Sequence, residues 1–423
     1  MRKSAEPIPR LVYADQHGRI FDHPSLRMAC RSGWEFRQPE EEELIPLPAE
    51  SELFLLPGRR AVGWDTERGR FRTVEHTAVA AFVSPGHTLS AVTAYETDGG
   101  APILPLFAYA AVGFFRDRFW VCATQVDKDP RQRFAGISPQ RIHAGARQWL
   151  RRFPKNRLVR HLADCALVSS CPAARNLALG RYEAPLPTSR ACNARCVGCL
   201  SLQPADAGFP STQNRIGFQP SVQEIVEIMT HHARRESRPI FSFGQGCEGE
   251  PLTEAALIRR AVQAYRASGG VGTVNVNTNA GLPETIPELA KAGLSSIRVS
   301  LNSARDAVYA RYHRPQGFCL EDVRRSIRFA RRSGLFVSLN YLFFPGVSDR
   351  SEDVAALAEL VNSAAVDCIQ LRNMNLDPER YLALHADAQH AAPEPGMGLK
   401  AMIRELQRHA PGLRFGYFNP YVG

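Results

Sequence analysis

The sequence lacks a long apolar segment. No hydrophobic run approaches the roughly 20 residues that a membrane-spanning helix needs. The opening residues, MRKSAEPIPRLVYADQHGR, have no apolar core behind their two basic residues, so neither a signal peptide nor a membrane partner is predicted. A hydrophobic content of 44% and a charged content of 22% are typical of globular proteins. The length of 423 residues leaves room for roughly two or three domains.

The distribution of cysteines along the chain does not indicate a disulfide framework. Ten cysteines are spread over the whole chain, whereas small secreted proteins concentrate theirs in short, dense frameworks. Free thiols predict a reducing, cytoplasmic setting. Cys165 and Cys171 could belong to a metal cluster, but we interpret them as small buried residues, because free cysteine is often buried.

Acidic residues do not balance the basic ones, and the net charge is +10. Part of the excess lies at His143, Arg147 and Arg151, which share one face of a predicted helix because they are four residues apart. A solvated basic helix is the favoured interpretation, and an RNA-binding face is the alternative. No familiar nucleic-acid-binding pattern is present, and we expect no DNA partner.

Three cysteines on one short loop carry the strongest functional signal. Cys192, Cys196 and Cys199 have the spacing C-x3-C-x2-C in the segment TSRACNARCVGCLSLQP. Iron–sulfur clusters are normally bound by four cysteines. Three thiolates therefore leave one iron of a [4Fe–4S] cluster open to another ligand. A zinc loop is the alternative, although zinc sites usually have a second Cys/His pair of similar spacing, and none lies nearby.

The chain around this loop alternates predicted strands with predicted helices. Such alternation is typical of βαβ units and a parallel sheet. One helix is predicted to begin at a capping box formed by Ser221 and Glu224. The six predicted strands cover residues 184–189, 239–245, 273–279, 296–302, 336–343 and 368–373.

The cysteine loop and the strand pattern resemble the radical S-adenosylmethionine (SAM) superfamily. The resemblance implies a partial (β/α)6 TIM-like barrel, a [4Fe–4S] cluster on the three cysteines, and SAM at the open iron. It implies an oxygen-sensitive enzyme that reductively cleaves SAM to a 5′-deoxyadenosyl radical, with a flavodoxin or ferredoxin-type electron donor. The family often has an aromatic residue before the third cysteine, but Gly198 stands there, so the adenine contact must come from elsewhere.

The resemblance also implies SAM contacts at the strand ends. A turn similar to the family's Gly-Gly-Glu turn follows the second strand, with Gly246, Gly249, Glu250 and Pro251. Glu248 replaces the first glycine of the pair, so Glu248 and Glu250 are both candidates to meet the methionyl amine. Thr278 and Asn279 are expected near the SAM carboxylate or ribose. Further expected contacts are Ser300, Asn302, Asn340, Gln370 and Arg372, and Asn373 is expected at the same mouth.

Four regions are predicted along the chain. Residues 1–136 form a β-rich α+β domain, 137–181 a helical connector with a basic face, 182–376 the radical SAM core, and 377–423 a loop, a short helix and an extended tail. A β-hairpin is predicted with its turn near Arg116, Asp117 and Arg118.

The reaction and its substrate are open at this point. A radical SAM enzyme acting on a small molecule or a peptide is the favoured interpretation. The alternatives are an RNA-modifying radical SAM enzyme and a non-catalytic regulatory protein that binds zinc or an iron–sulfur cluster on the same thiolates.

Overall fold

The computed structural model describes residues 8–129, 133–385 and 394–423. They form a 12-stranded antiparallel sheet and a seven-stranded parallel sheet, with helices between and around them. No helix in these three ranges is long and apolar enough to cross a membrane.

The antiparallel sheet contains all of the strands before residue 126. They are β1 (Arg10–Ala14), β2 (Ile20–Met28), β3 (Cys30–Ser32), β4 (Glu35–Arg37), β5 (Leu44–Pro46), β6 (Glu52–Asp65), β7 (Arg70–Phe82), β8 (His87–Leu89), β9 (Val92–Thr93), β10 (Tyr95–Thr97), β11 (Ala110–Phe115) and β12 (Arg118–Gln125). The predicted hairpin is confirmed as β11 and β12. Arg116 and Asp117 have φ values of 51° and 58°, as a two-residue type I′ turn requires.

The helical part of the predicted α+β class is not found in this region. Among the described residues before 139, the only helix is a short 3₁₀ turn at Glu41–Glu43. This part of the chain forms strands instead, including the long pairing of β6 with β7. The register of that pairing shifts between Leu56 and Val62.

Three helices connect the two sheets: α1 (Pro139–Arg152), α2 (Arg157–Leu167) and α3 (Pro172–Leu179). Ser138 and Asn156 cap the first two, because their side chains accept backbone N–H groups of the first turn. Pro154 lies in the break between α1 and α2, where a proline prevents one helix from continuing into the next. The Trp149 indole donates to the Leu177 carbonyl at 2.9 Å and joins α1 to α3.

The parallel sheet keeps its strands in chain order. They are β13 (Glu183–Pro185), β14 (Ile240–Phe243), β15 (Thr273–Thr278), β16 (Ser296–Leu301), β17 (Phe336–Phe343), β18 (Cys368–Asn373) and β19 (Arg414–Gly416). The helices are α4 (Val222–Ala233), α5 (Ala255–Ala267), α6 (Thr285–Ala292), α7 (Asp306–His313), α8 (Leu320–Arg332), α9 (Ser351–Ala364), α10 (Pro378–Ala383) and α11 (Leu399–His409). All strands are parallel, so their carboxyl ends lie at one edge.

All six predicted strands are present, and the last two have the predicted bounds. The first ends at Pro185 rather than at residue 189, because the backbone N–H groups of Thr188 and Ser189 donate to the Glu248 carboxylate instead of to a neighbouring strand. The seventh strand, β19, was predicted only as part of an extended tail.

The two faces of the parallel sheet differ in chemistry. Alternate residues such as Val274, Val276 and Ile297 belong to the hydrophobic core under the helices. On the other face the side chains form a hydrogen-bonded polar network, whose members are Ser242, Asn275, Asn277, Ser296, Arg298, Ser338, Gln370 and Asn419. This alternation follows from the two-residue period of a strand.

The antiparallel sheet contacts the carboxyl end of β18. The Asn373 amide oxygen accepts the Leu89 N–H at 2.9 Å, and its nitrogen donates to the His87 carbonyl at 3.2 Å. Arg59 and Asp377 form a buried ion pair at 2.9 Å across the same contact. Asn373 therefore holds the two sheets together, and the expectation that it shares a mouth with Gln370 and Arg372 is wrong, since adjacent strand residues point to opposite faces.

Candidate iron–sulfur and SAM site

The loop triad, Cys192, Cys196 and Cys199, lies in the connection between β13 and α4, and each of its cysteines is half-buried. Backbone hydrogen bonds fix the start of this loop. Gly249 N–H donates to the Ser189 carbonyl at 2.7 Å, and Glu250 N–H donates to the Ala191 carbonyl at 2.8 Å. The triad is thereby held beside the turn that follows β14.

A second set of contacts joins the loop to the end of β15. The Asn279 amide nitrogen donates to the Asn193 amide oxygen at 2.7 Å, and the Asn279 oxygen accepts the Gly281 N–H at 2.9 Å. Asn279 therefore positions the residue next to Cys192. The carboxyl ends of β14 and β15 both contribute to the placement of the triad.

Helix α7 and the residues after it cover the other side of the loop. Arg195 N–H donates to the His313 carbonyl at 3.2 Å, and Val197 N–H donates to the Tyr312 carbonyl at 3.0 Å. A Cβ atom at Gly198 would lie 2.6 Å from the Tyr312 hydroxyl oxygen. The ring of Tyr312 thus occupies space that a side chain before the third cysteine would need, which explains the glycine.

Each sulfur of the triad has a distinct environment. Cys196 Sγ lies 3.4 Å from His313 Nδ1, and Cys199 Sγ lies 3.5 Å from Arg215 Nη2. Burial lowers the pKa of His313 to about 3, so the ring is neutral and can donate one N–H. Burial raises the pKa of Cys192 to about 11, so its thiolate form needs nearby positive charge.

The spacing of the sulfurs decides which metal group the donor set fits. Among the described residues, the only three potential ligands whose donor atoms all lie within 4.8 Å of one another are His161, Cys165 and Cys247. At least one pair of the triad sulfurs is therefore farther apart than that. Ligands of three separate irons stand farther apart than ligands of one ion, so the triad fits a [4Fe–4S] cluster better than a single zinc.

Both carboxylates of the turn after β14 already have partners within the protein. Glu248 accepts four backbone N–H groups and one hydroxyl, from Thr188, Ser189, Gly244 and Gln245. It is 4% exposed, and burial raises its pKa. Glu248 therefore ties the end of β14 to the chain entering the cysteine loop.

Glu250, two residues after Glu248, makes a similar set of hydrogen bonds. It accepts the N–H groups of Leu252 and Asn279, at 3.0 and 2.8 Å, and the Thr278 hydroxyl. It is 3% exposed, and burial raises its pKa to about 7. Contact of either carboxylate with a methionyl amine stays a prediction. The observed role of Glu250 is to join the ends of β14 and β15.

The three remaining residues of this turn have backbone roles. Gly249 is needed because a Cβ there would meet the Ala191 carbonyl oxygen at 1.8 Å. Pro251 begins a short 3₁₀ helix, Pro251–Glu254, that Glu250 caps. Gly246 lies against the side chain of Gln213. The turn is thus shaped by close backbone approach to the cysteine loop.

The other predicted SAM contacts fall into two groups. Ser300 and Asn340 are brought together at 3.3 Å on the polar face, and on the same face Gln370 accepts from Arg298 at 3.1 Å while Arg372 donates to the Tyr417 carbonyl at 2.9 Å. Asn302 is separate, since it is buried and donates to the Val308 carbonyl at 3.4 Å.

Several residues of the site have no sequence signal that would have found them. Asn193 lies inside the cysteine motif but outside its spacing. The others reach the site from distant parts of the chain: Arg215, Arg298, Tyr312, His313 and Asn419. On α1, His143, Arg147 and Arg151 are exposed.

Comparison with known proteins identifies the part of the chain that holds the triad. Residues 186–360 match the family model described as the Radical SAM superfamily. A probable dual-specificity RNA methyltransferase RlmN from Synechococcus sp. is 25% identical over 235 residues, which are 53% of this chain and 63% of that protein. Molybdenum cofactor biosynthesis protein 1 from Homo sapiens is 28% identical over 172 residues, 40% of this chain and 25% of that protein. The chain thus spans less than two thirds of these relatives.

Solved structures show a weaker likeness. A radical SAM methyltransferase from Sphaerobacter thermophilus has a TM-score of 0.38 and 18% sequence identity, over 56% of this chain and 67% of that chain. Streptococcus suis SuiB bound to precursor peptide SuiA has a TM-score of 0.39 and 13% identity, over 62% of this chain and 53% of that chain.

Proposed function

We propose that this protein, whose residues 186–360 form a radical SAM domain, reductively cleaves SAM to methionine and a 5′-deoxyadenosyl radical that acts on a small molecule or a peptide. The superfamily uses a [4Fe–4S] cluster and SAM. The observation that carries the proposal is the placement of the loop triad, whose spread sulfurs lie beside the carboxyl ends of β14 and β15.

Cys192, Cys196 and Cys199 would hold the cluster. When bound, it supplies one electron to the sulfonium of SAM, with an external flavodoxin or ferredoxin-type protein as the source. Arg215 places a guanidinium group 3.5 Å from the Cys199 sulfur, where it can donate a hydrogen bond to a metal-bound thiolate. His313 can donate an N–H to the Cys196 sulfur, and such hydrogen bonds tune the potential of a cluster.

The residues that follow β14 and β15 would orient SAM at the open iron. Gly246, Gly249, Glu250 and Pro251 shape the turn, with Thr278 and Asn279 beside it. In this proposal Glu250 acts by holding the turn against Asn279, while Tyr312 takes the place of the missing aromatic residue before Cys199. Ser300, Asn302, Asn340, Gln370 and Arg372 would complete the SAM and substrate contacts.

We assign the parallel sheet to the partial (β/α)6 barrel of this superfamily, with β19 as an added edge strand. Residues 182–376 would form this core, 137–181 the connector and 377–423 the tail. Residues 1–136 would shape the substrate side, because Thr88 and Leu89 bind the end of β18. The polar face of the core carries two guanidinium groups, Arg298 and Arg372.

Anaerobic reconstitution tests the proposal directly. The protein should take up about four irons per chain, as one cubane requires, and with dithionite and SAM it should form 5′-deoxyadenosine, measured by liquid chromatography and mass spectrometry. A fully iron-loaded protein that yields no 5′-deoxyadenosine, with or without candidate small molecules and peptides, would refute the enzyme assignment. Cys122→Ala, which removes a buried thiol in β12, serves as the control and should behave as the wild type.

RNA modification is the second candidate, because the similar RlmN proteins are named as RNA methyltransferases and α1 exposes a basic face. If RNA binds there, affinity should fall steeply with salt as counterions are released. Arg147→Glu with Arg151→Glu should then abolish binding in a filter assay, while Arg68→Glu, an exposed arginine after β6, should not. We expect salt-insensitive, weak binding that is equal in all three proteins.

A further inference from the structure

A second group of cysteines lies outside the proposed active site. We call it the connector cluster, and it consists of His161, Cys165, Cys171 and Cys247. His161 and Cys165 are one turn apart on α2 and share a face, with His161 Nε2 3.5 Å from Cys165 Sγ. Cys247 reaches them from the turn after β14, and its sulfur and the two α2 donor atoms all lie within 4.8 Å of one another.

Cys171 completes the set of potential ligands. It precedes α3, its N–H donates to the Cys165 carbonyl at 3.0 Å, and its side chain belongs to the same buried group as Cys165 and Cys247. The exposed fractions of Cys165, Cys171 and Cys247 are 5%, 8% and 1%. Three donors, from α2 and from a turn more than 70 residues away, therefore meet at this distance, and Cys171 lies in the same apolar group, with Ala166 and Ala174, but outside the close set of donor atoms.

The spacing matches the coordination sphere of one zinc ion. With Zn–S bonds of about 2.3 Å and Zn–N bonds of about 2.0–2.1 Å, neighbouring ligand atoms of a tetrahedral site are about 3.5–3.8 Å apart. The distance from His161 Nε2 to Cys165 Sγ is 3.5 Å, and the third donor is inside the same 4.8 Å group. A cubane would need sulfurs bound to separate irons and spread more widely.

We propose that the connector cluster binds one structural Zn²⁺ ion through His161, Cys165 and Cys247, and that Cys171, which lies in the same buried group but outside the close set, moves in as the fourth ligand when the ion binds. Three cysteines and one histidine are a common donor set of closed, tetrahedral zinc sites. The ion would fasten α2 to the turn that carries Glu248 and Glu250, so it would brace the SAM-binding turn from outside. This site is independent of the proposed function, because it takes no part in SAM cleavage.

A buried pair in the antiparallel sheet is a built-in comparison. Cys30 and Cys122 share a small hydrophobic cluster, yet no third donor joins them within the same distance among the described residues. Two buried thiols side by side are therefore not enough for a zinc site in this protein. The histidine and the convergence of separate segments distinguish the connector cluster.

Metal analysis of the full-length protein tests the proposal. After anaerobic purification and removal of loosely bound metal with a weak chelator, zinc is measured by mass spectrometry. The wild type should retain about one zinc per chain. Cys165→Ala, Cys247→Ala and His161→Ala should lose most of it, and Cys122→Ala should keep it. The Cys192→Ala, Cys196→Ala, Cys199→Ala variant should keep zinc while losing iron, which separates this proposal from the proposed function.

Cobalt substitution provides a measurement that does not require the connector-cluster variants to fold. In the variant lacking the loop triad, Co²⁺ should give the strong absorption of thiolate-bound tetrahedral cobalt. Wild-type protein without zinc, or with an intact mass two hydrogens lighter from a Cys165–Cys247 disulfide, would overturn the proposal. Unchanged zinc affinity in Cys171→Ala would overturn the assignment of the fourth ligand.

Discussion

The loop triad and the connector cluster use the same side chain in different ways. The three sulfurs of the triad come from residues 192–199, yet at least one pair of them is farther apart than the donor atoms of His161, Cys165 and Cys247, which come from α2 and a distant turn. Short spacing along the chain therefore does not produce close ligand atoms. A loop wrapped around a polynuclear cluster must spread its thiolates, whereas a single ion draws its ligands together.

The largest expected effect comes from removing the loop triad. Replacing Cys192, Cys196 and Cys199 with alanine should reduce iron from about four per chain to background, because a cubane cannot bind without its thiolates. The formation of 5′-deoxyadenosine should stop as well. Iron analysis and product assays check this, and zinc should be unchanged. Iron that persists in this variant would place the iron–sulfur cluster on the connector cysteines. The proposed difference between an iron site and a zinc site would then be wrong.

Glu248 links the two sites, since it follows Cys247 and accepts the N–H groups of Thr188 and Ser189. In Glu248→Gln an amide NH₂ would face buried N–H donors that now bind a carboxylate oxygen. Each buried donor left without an acceptor costs roughly 1–3 kcal/mol. We therefore expect the free energy of unfolding to fall by about 4 kcal/mol. Urea denaturation measures it. The surface variant Glu67→Gln is the control. A change below about 1 kcal/mol would show that Glu248 does not hold the loops together.

The pH dependence of stability tests the raised pKa of Glu250, the carboxylate beside the loop triad. Burial raises the pKa of Glu250 to about 7, above its unfolded value of 4.5. Between these values the native state retains a proton that the unfolded state has lost, so stability should fall as pH rises from about 4.5 to 7, by roughly 3 kcal/mol. Glu250→Gln should lack this component. Denaturation of the metal-free proteins at several pH values gives the difference, and parallel curves would contradict the shift.

The smallest effect concerns His313. In His313→Phe the cluster would lose one N–H directed at Cys196, worth about 1 kcal/mol, which for one electron is on the order of 40 mV. The midpoint potential should become more negative, because a hydrogen bond to sulfur favours the reduced, more negative cluster. Electron paramagnetic resonance during a redox titration measures it, with His143→Phe on the exposed face of α1 as control. An unchanged midpoint potential would show that His313 does not tune the cluster.

Local patterns made part of this architecture readable from the sequence. The triad spacing, the strands 336–343 and 368–373 and the turn of the β11–β12 hairpin all depend on residues close together in the chain. Spacing of thiolates, alternation of apolar residues and turn residues act over a few positions. The sequence by itself therefore predicted the parallel core and the loop within it.

Only the tertiary structure determined the contacts between distant segments. It showed that Glu248 and Glu250 are bound by backbone N–H groups, that Asn373 joins the two sheets, and that His313 lies beside Cys196. It also brought Cys247 to His161 and to Cys165, which the sequence analysis had interpreted as a small buried residue. Such meetings depend on how helices and loops pack across many residues, and no local pattern encodes the final distance between two side chains.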